Sequence, residues 1–298
     1  MDALTLRIGT RRSRLALAQA EEVAYHLALL GVESSLMPMT TSGDRGDPAE
    51  ASSAGVKGLF VAEIVRALQE GDVDLAVHSA KDLPAEDPEG VVVGAVPERN
   101  APFDVLVTRE PDLGAGAVVG TSSLRRQALL RRSRPELDVR DLRGNVDTRL
   151  VKLERGEVDG LVLAAAGLAR LGIAPAHATP LPMDEMVPAP GQGALAVQVR
   201  ADDGLTRQVV GRLDHERSRT AFEAERALVL RLGGGCSLPL GAYAEQRAEG
   251  VRLLGVVVRP DGSGFLWAQA EAPSSAEVAA HVAETLISAR ALEILGEA

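Results

Sequence analysis

The chain has 298 residues, enough for two or three domains rather than one core. Its net charge of −10 disfavours indiscriminate binding to nucleic acid or anionic membrane, and no apolar run approaches the ~20 residues a bilayer-spanning helix requires. The single cysteine, Cys236, excludes an internal disulfide, and Met1 to Leu4 lack the charged and apolar regions of an export signal, so a reducing cytoplasm is expected.

Leu4 to Thr10 reads as a buried strand, and Gly9-Thr10 turns into an amphipathic helix from about Ser13 to Leu30 that Gly31 stops. A second strand is predicted over Glu33 to Met39. Thr41 to Val56, rich in Ser, Gly, Ala and Asp, has no periodicity and reads as a loop that closes over a site. Helical spacing returns from Gly58 to Gln69, before a short buried strand from Val73 to His78.

The same grammar then recurs. Val119-Gly120-Thr121 leads into a helix as Ile8-Gly9-Thr10 does, and Leu68-x-x-Gly71-x-Val73-Asp74 matches Leu153-x-x-Gly156-x-Val158-Asp159. Two α/β domains of one plan follow from this repeat. Pro188 to Gly193 breaks the second, and Ala194 to Val199 is an apolar strand returning to the first. A helix from His215 to Leu232 runs into Gly233-Gly-Gly235-Cys236. Strands over Arg252 to Arg259 and Phe265 to Ala270 and a helix over Ser275 to Leu295 make a small α+β domain. The predicted division is 1–97 with 194–211, then 98–193, then 215–298.

Polar chemistry gathers where the repeats differ. After the strand of the first copy comes His78-Ser79-Ala80-Lys81-Asp82, whereas the second has Leu163-Ala-Ala-Ala-Gly167. Ligands of open α/β sheets bind beyond the carboxyl ends of strands, and a carboxylate there can stabilise a developing cation. Asp82 and Ser79 could equally serve as helix caps.

Between Thr121 and Arg155 stand nine Arg and one Lys against five acids. Arg125 and Arg126 fall in the first turn of a helix, where cations oppose the helix dipole at about 0.3–1 kcal/mol each. A bound anion would supply the missing negative charge, and Arg11, Arg12 and Ser13 repeat the arrangement in the first domain. Leu142-Arg143-Gly144-Asn145 and Arg149 add donors. Guanidinium forks grip carboxylates bidentately, so a substrate carrying several acidic groups is expected. Phosphate-loop and metal-ligand spacings are lacking. Cys236 after three glycines is a thiol with room for a covalent group, or else a small buried hydrophobe.

Eight strings then occur in a known order: Arg7-Ile-Gly-Thr-Arg11-x-Ser13, Lys57-Gly-Leu-Phe60, Ala76-Val-His78-Ser79-x-Lys81-Asp82-Leu-Pro84, Gly120-Thr121-Ser-Ser123-Leu-Arg125-Arg126-Gln127, Leu142-Arg143-Gly144-Asn145-x-x-Thr148-Arg149, Ala165-Ala-Gly-Leu168, Gly191-Gln-Gly-Ala194 and Gly234-Gly-Cys236. Together they resemble the porphobilinogen deaminase family. The resemblance implies an α/β fold of two domains like those of periplasmic binding proteins plus a smaller C-terminal α+β domain. It implies stepwise condensation of four porphobilinogen molecules into hydroxymethylbilane, with release of ammonia, on a dipyrromethane cofactor attached through Cys236. Asp82 would be the catalytic carboxylate, stabilising the cation formed as ammonia leaves. Arg11, Ser13, Gln19, Ser79, Lys81, Thr121, Ser123, Arg125, Arg126, Arg143, Gly144, Asn145, Arg149 and Arg170 would bind cofactor and substrate side chains, and Lys57 and Phe60 lie in the lid. Ser53 stands where many members have a lid lysine.

Two other classes share some of these features. A two-lobed binding protein for an anionic solute would have the arginines without needing Cys236 in a glycine loop. A regulator of single-stranded nucleic acid would want stacking aromatics, yet the chain is 2% aromatic with none between Phe103 and Phe222. The expected partner is a small molecule alone, bound by a monomer.

Overall fold

A computed structural model describes residues 5–41, 61–233 and 238–296. Lys57, Phe60, Ser53 and Cys236 lie outside them.

The first sheet is built from β1 (Thr5–Arg11), β2 (Glu33–Met39), β3 (Leu75–Ser79), β4 (Val91–Ala95) and β10 (Leu195–Arg200), ordered β2-β1-β3-β10-β4. β1 runs parallel to β2 and β3, whereas β10 is antiparallel to β3 and β4. The second sheet uses β5 (Asp104–Thr108), β6 (Val118–Gly120), β7 (Asp138–Arg140), β8 (Gly160–Ala164) and β9 (Ala178–Pro180), ordered β7-β6-β8-β5-β9. Here β6 is parallel to β7 and β8, and β5 is antiparallel to β8 and β9. The plans are the same, and in each the fourth strand is the one the chain enters by crossing over from the other sheet.

The repeated Gly-x-Val-Asp explains part of that likeness. Asp74 accepts the Arg7 N–H at 2.8 Å and donates its own N–H to Arg7 O at 2.9 Å. Asp159 does the same to Val118, at 2.9 and 2.8 Å. Each aspartate thereby pins the start of one parallel strand to the start of the next.

Side chains of β3 alternate between two apolar layers, as period-two geometry requires. Leu75 and Val77 pack with Ala20, Val23 and Leu27 of α1 (Arg14–Leu29), while Ala76 and Ala80 pack with Ile64 and Leu68 of α2 (Ala62–Glu70). Both faces being covered, the carboxyl end of β3 is the part open to a ligand. In the second sheet α3 (Leu124–Ser133), α4 (Val146–Glu154) and α5 (Ala165–Arg170) play the covering role, and α6 (Gly204–Gly211) packs on the first after β10.

The C-terminal domain is an antiparallel meander, β11 (Leu240–Arg247), β12 (Gly250–Val258) and β13 (Phe265–Ala272), covered by α7 (Glu216–Arg231), α8 (Ser275–Ser288) and α9 (Ala291–Gly296). The single helix expected over Ser275 to Leu295 is two. Arg290 takes a left-handed φ of 71°, a conformation that costs a non-glycine residue roughly 1–2 kcal/mol. The turn brings Ala291, Ile294 and Leu295 into the core, and burying a large aliphatic side chain contributes roughly 1.5–3 kcal/mol.

Candidate active site

Because β1 and β3 are parallel neighbours, the segments that follow them emerge on one edge of the first sheet. Arg11-Arg12-Ser13 follows β1. Ser13 caps α1, its Oγ accepting the Ala16 N–H at 3.3 Å. After β3 the chain makes one 3-10 turn, Ala80–Asp82, which leaves Lys81 and Asp82 half-buried. Gln19 on α1 donates from Nε2 to Ser79 Oγ at 2.7 Å and fixes the helix to the start of that turn.

His78, one pleat below, is buried, and its Nε2 has no hydrogen-bond partner. Burial pushes its imidazole down to about 4, Asp82 opposing and Arg11 reinforcing the shift. The imidazole is therefore neutral near pH 7.

On the second sheet the parallel strands β6 and β7 bring Thr121-Ser122-Ser123 and Asp141-Leu142-Arg143 to a common edge. Ser123 caps α3, and Thr121 Oγ1 accepts the Ser123 N–H at 3.3 Å. Arg149, on α4, donates to Gly144 O at 2.7 Å and to Ser122 Oγ at 2.9 Å. Burial, and then the neighbouring Arg126 charge, pushes this guanidinium down to about 10. Arg143 is exposed beside Asp141, and Asn145 begins α4 without a side-chain cap bond.

The two edges meet where α1 and α5 touch. Arg170 on α5 donates to Glu22 on α1 at 2.8 Å, and the arginine side chain is only 5% exposed.

Arg125 and Arg126 behave differently from the sequence-based expectation that a bound anion neutralises them. The anion is the chain's own Asp104, fully buried at the start of β5. It accepts from Arg125 Nη2 at 2.8 Å, from Arg126 Nη2 and Nε at 2.6 and 3.1 Å, and from Gln192 Nε2 at 2.9 Å. Burial alone would raise its carboxyl, but Arg125 and then Arg126 hold it below the usual carboxylate range. The last turn of α3 also has structural work. Arg131 donates to Pro260 O at 2.6 Å and Arg132 lies 4.1 Å from the centre of the Phe265 ring, docking the C-terminal domain. Arg134 pairs with Glu185 and Arg140 with Asp138. Arg149, like Arg131, hydrogen-bonds neutral groups, but its guanidinium lies at the edge beside Ser122 and Gly144 and not against the C-terminal domain.

A family model described as the dipyromethane cofactor binding domain of porphobilinogen deaminase matches residues 6–208, and one for the enzyme's C-terminal domain matches 220–288. The porphobilinogen deaminase of Paraburkholderia phytofirmans is 47% identical over 91% of this chain and 81% of its own. That of Syntrophotalea carbinolica is 45% identical over 99% and 96%. The chain belongs to the porphobilinogen deaminase family.

As a porphobilinogen deaminase it is a transferase of tetrapyrrole biosynthesis that uses a dipyrromethane cofactor. Its α/β lobes also resemble, at TM-score 0.42 and 16% identity over 70% of this chain and 91% of the other, a periplasmic substrate-binding protein of an ABC transporter from Coxiella burnetii. Membership in the deaminase family leaves the solute-binding alternative as a likeness of fold.

Within the family frame, Arg11, Ser13, Gln19, Ser79, Lys81 and Asp82 gather on one sheet edge, and Thr121, Ser123, Arg143, Gly144, Asn145 and Arg149 on the other. Asp104, Arg99 and Glu225 carry no sequence signal, and Gln192 only its place in the Gly191-to-Ala194 string, since each acts through partners far away along the chain.

Proposed function

We propose that this porphobilinogen deaminase extends a dipyrromethane held through the Cys236 thioether, with Asp82 as its catalytic carboxylate. The donor set suits such a group: a pyrrole unit carries acetate and propionate, and Arg149 is a half-buried cation whose own hydrogen bonds go to neutral atoms. Taking charge out of water is costly unless it is paired, so an acidic ligand complements it. That guanidinium is the observation that carries the reading.

The cofactor supplies a nucleophilic pyrrole carbon. Asp82 accepts hydrogen bonds from pyrrole N–H groups and stabilises the positive charge that develops on porphobilinogen as ammonia departs. A fixed carboxylate aimed at developing charge lowers the barrier without covalent chemistry. Arg11, Lys81, Arg143 and Arg149 hold acidic side chains, with Ser13, Gln19, Ser79, Thr121, Ser123, Gly144 and Asn145 as neutral donors. Arg125 and Arg126 keep this edge in register through Asp104. Arg170, paired with Glu22 on α1, is assigned to the growing end of the product, and Lys57 and Phe60, outside the described residues, to substrate binding.

We also propose a cytoplasmic monomer. Among the described residues no helix is long and apolar enough to cross a membrane, and one chain supplies every group named.

Intact-protein mass tests the reading. The holoenzyme should exceed its sequence mass by one dipyrromethane, and Cys236→Ala should have the bare mass. A bare mass for the parent after expression with porphobilinogen available refutes it.

A further inference from the structure

The hinge between the lobes contains a carboxylate with no part in the chemistry described above. Glu225, on α7, is fully buried, and its two oxygens take four hydrogen bonds from three separate stretches of chain. Arg99, on the crossover out of the first sheet, donates from Nη1 at 2.7 Å and Nη2 at 3.2 Å. Gly191 N, on the crossover back, lies at 2.6 Å, and Ala244 N, on β11, at 2.8 Å.

The Gly191 bond reaches the catalytic turn. Gly191 has a φ of 73°, and a Cβ placed on it would fall 2.9 Å from Lys81 N and 3.0 Å from Ala80 C. The loop backbone thus lies directly against the turn that presents Asp82. Ala80 N donates to Ala194 O at 3.0 Å, closing the same contact from the other side. One residue on, Gln192 Nε2 reaches Asp104 and Pro102 O, at 2.9 and 2.7 Å, so the loop also seats the arginine cluster of the second lobe. The loop is a wedge between the two lobes, and Glu225 holds it from the third domain.

Glu225 and Ala244 also flank the segment that carries Cys236: α7 ends at Arg231 and β11 starts at Leu240. Both sides of that segment and the floor of the Asp82 turn are therefore referred to one carboxylate. We propose that Glu225 is a positioning residue, acting through the Gly191 N–H to set where Asp82 stands relative to the tethered pyrrole. The proposal rests on the reading of Asp82 as the catalytic carboxylate. Displacements near 1 Å can cost on the order of 100-fold in rate, so a support this close to the turn controls turnover.

The test compares holoenzymes bearing Gly191→Ala, Glu225→Gln, Asp82→Asn and, as a control on α7, Glu223→Gln at an exposed position. Fold is followed by circular dichroism and adduct by intact mass. Values of kcat and KM for porphobilinogen are taken well below the melting midpoint and divided by the adduct-bearing fraction. Gly191→Ala pushes on the turn while leaving the Arg99–Glu225 pair in place. It should keep its fold and adduct, with kcat down about tenfold or more and KM within about threefold. Glu225→Gln should show the same split, and Glu223→Gln should match the parent. If Glu225→Gln does not fold, Gly191→Ala decides. A smaller loss of kcat in folded, adduct-bearing Gly191→Ala, or a loss confined to KM, overturns the proposal. Parent-like turnover in Asp82→Asn would instead remove the reading beneath it.

Discussion

Replacing Asp104 by Asn keeps the side chain's shape and removes one buried negative charge. In the parent that charge faces two guanidinium groups, and the exposures of the Asp104, Arg125 and Arg126 side chains are 0, 3 and 8%. Asparagine retains one acceptor oxygen but turns an NH2 toward Arg125 or Arg126, leaving two buried cations without a counter-charge. Removing one partner of a buried ion pair costs about 3–5 kcal/mol, and here two cations lose the same partner, so the upper part of that range applies. At about 2–4 °C per kcal/mol for a chain of this size, the thermal midpoint should fall by roughly 8–20 °C. Melting followed by circular dichroism on adduct-bearing protein measures this. Since the Asp104 carboxyl lies below the usual carboxylate range, the drop should be the same at mildly acidic and neutral pH. Adding Arg126→Met should recover part of it by removing one stranded charge. A midpoint within about 2 °C of the parent would refute the account of the cluster as a mutually dependent unit.

Two other outcomes follow from the first sheet. Folding holds the His78 imidazole neutral down to about 4 against an ordinary value of 6.5, so between those pH values the unfolded chain binds the extra proton. Stability therefore falls as pH drops through that window, by up to about 3 kcal/mol from this residue. Urea midpoints of parent and His78→Gln should converge toward the acid end, and an unchanged acid slope in the variant would show that His78 is not its source. Asp82→Asn should keep the dipyrromethane adduct yet lose turnover by about 100-fold or more; single-turnover assays at saturating porphobilinogen read this directly, and near-parent rates would exclude electrostatic catalysis by Asp82.

Much of the candidate site is legible because its parts are local. A strand, a Gly-Thr turn and a hydroxyl-bearing helix start can be read at Ile8 to Ser13 and again at Val119 to Ser123, and in the structure Ser13 and Ser123 cap those helices. Polar residues directly after a buried strand mark the Asp82 turn for the same reason. The jobs of the arginines could not be read this way. Periodicity places Arg125 and Arg126 on a helix, but the acid they meet lies 21 and 22 residues away on a strand. The Arg99–Glu225 pair spans 126 residues.

By itself the sequence determined the elements and their repetition, because hydrophobic period, caps and glycine stops act within a few residues of the backbone they shape. The return of Ala194 to Val199 to the first domain could be read from the sequence, but tertiary structure decided that β10 and β5 take the same fourth, antiparallel place in their sheets. It also decided which charges neutralise one another and gave Arg149 neutral hydrogen-bond partners. Those outcomes depend on distance and desolvation in three dimensions, and a buried charge is stable only where folding delivers its counter-ion.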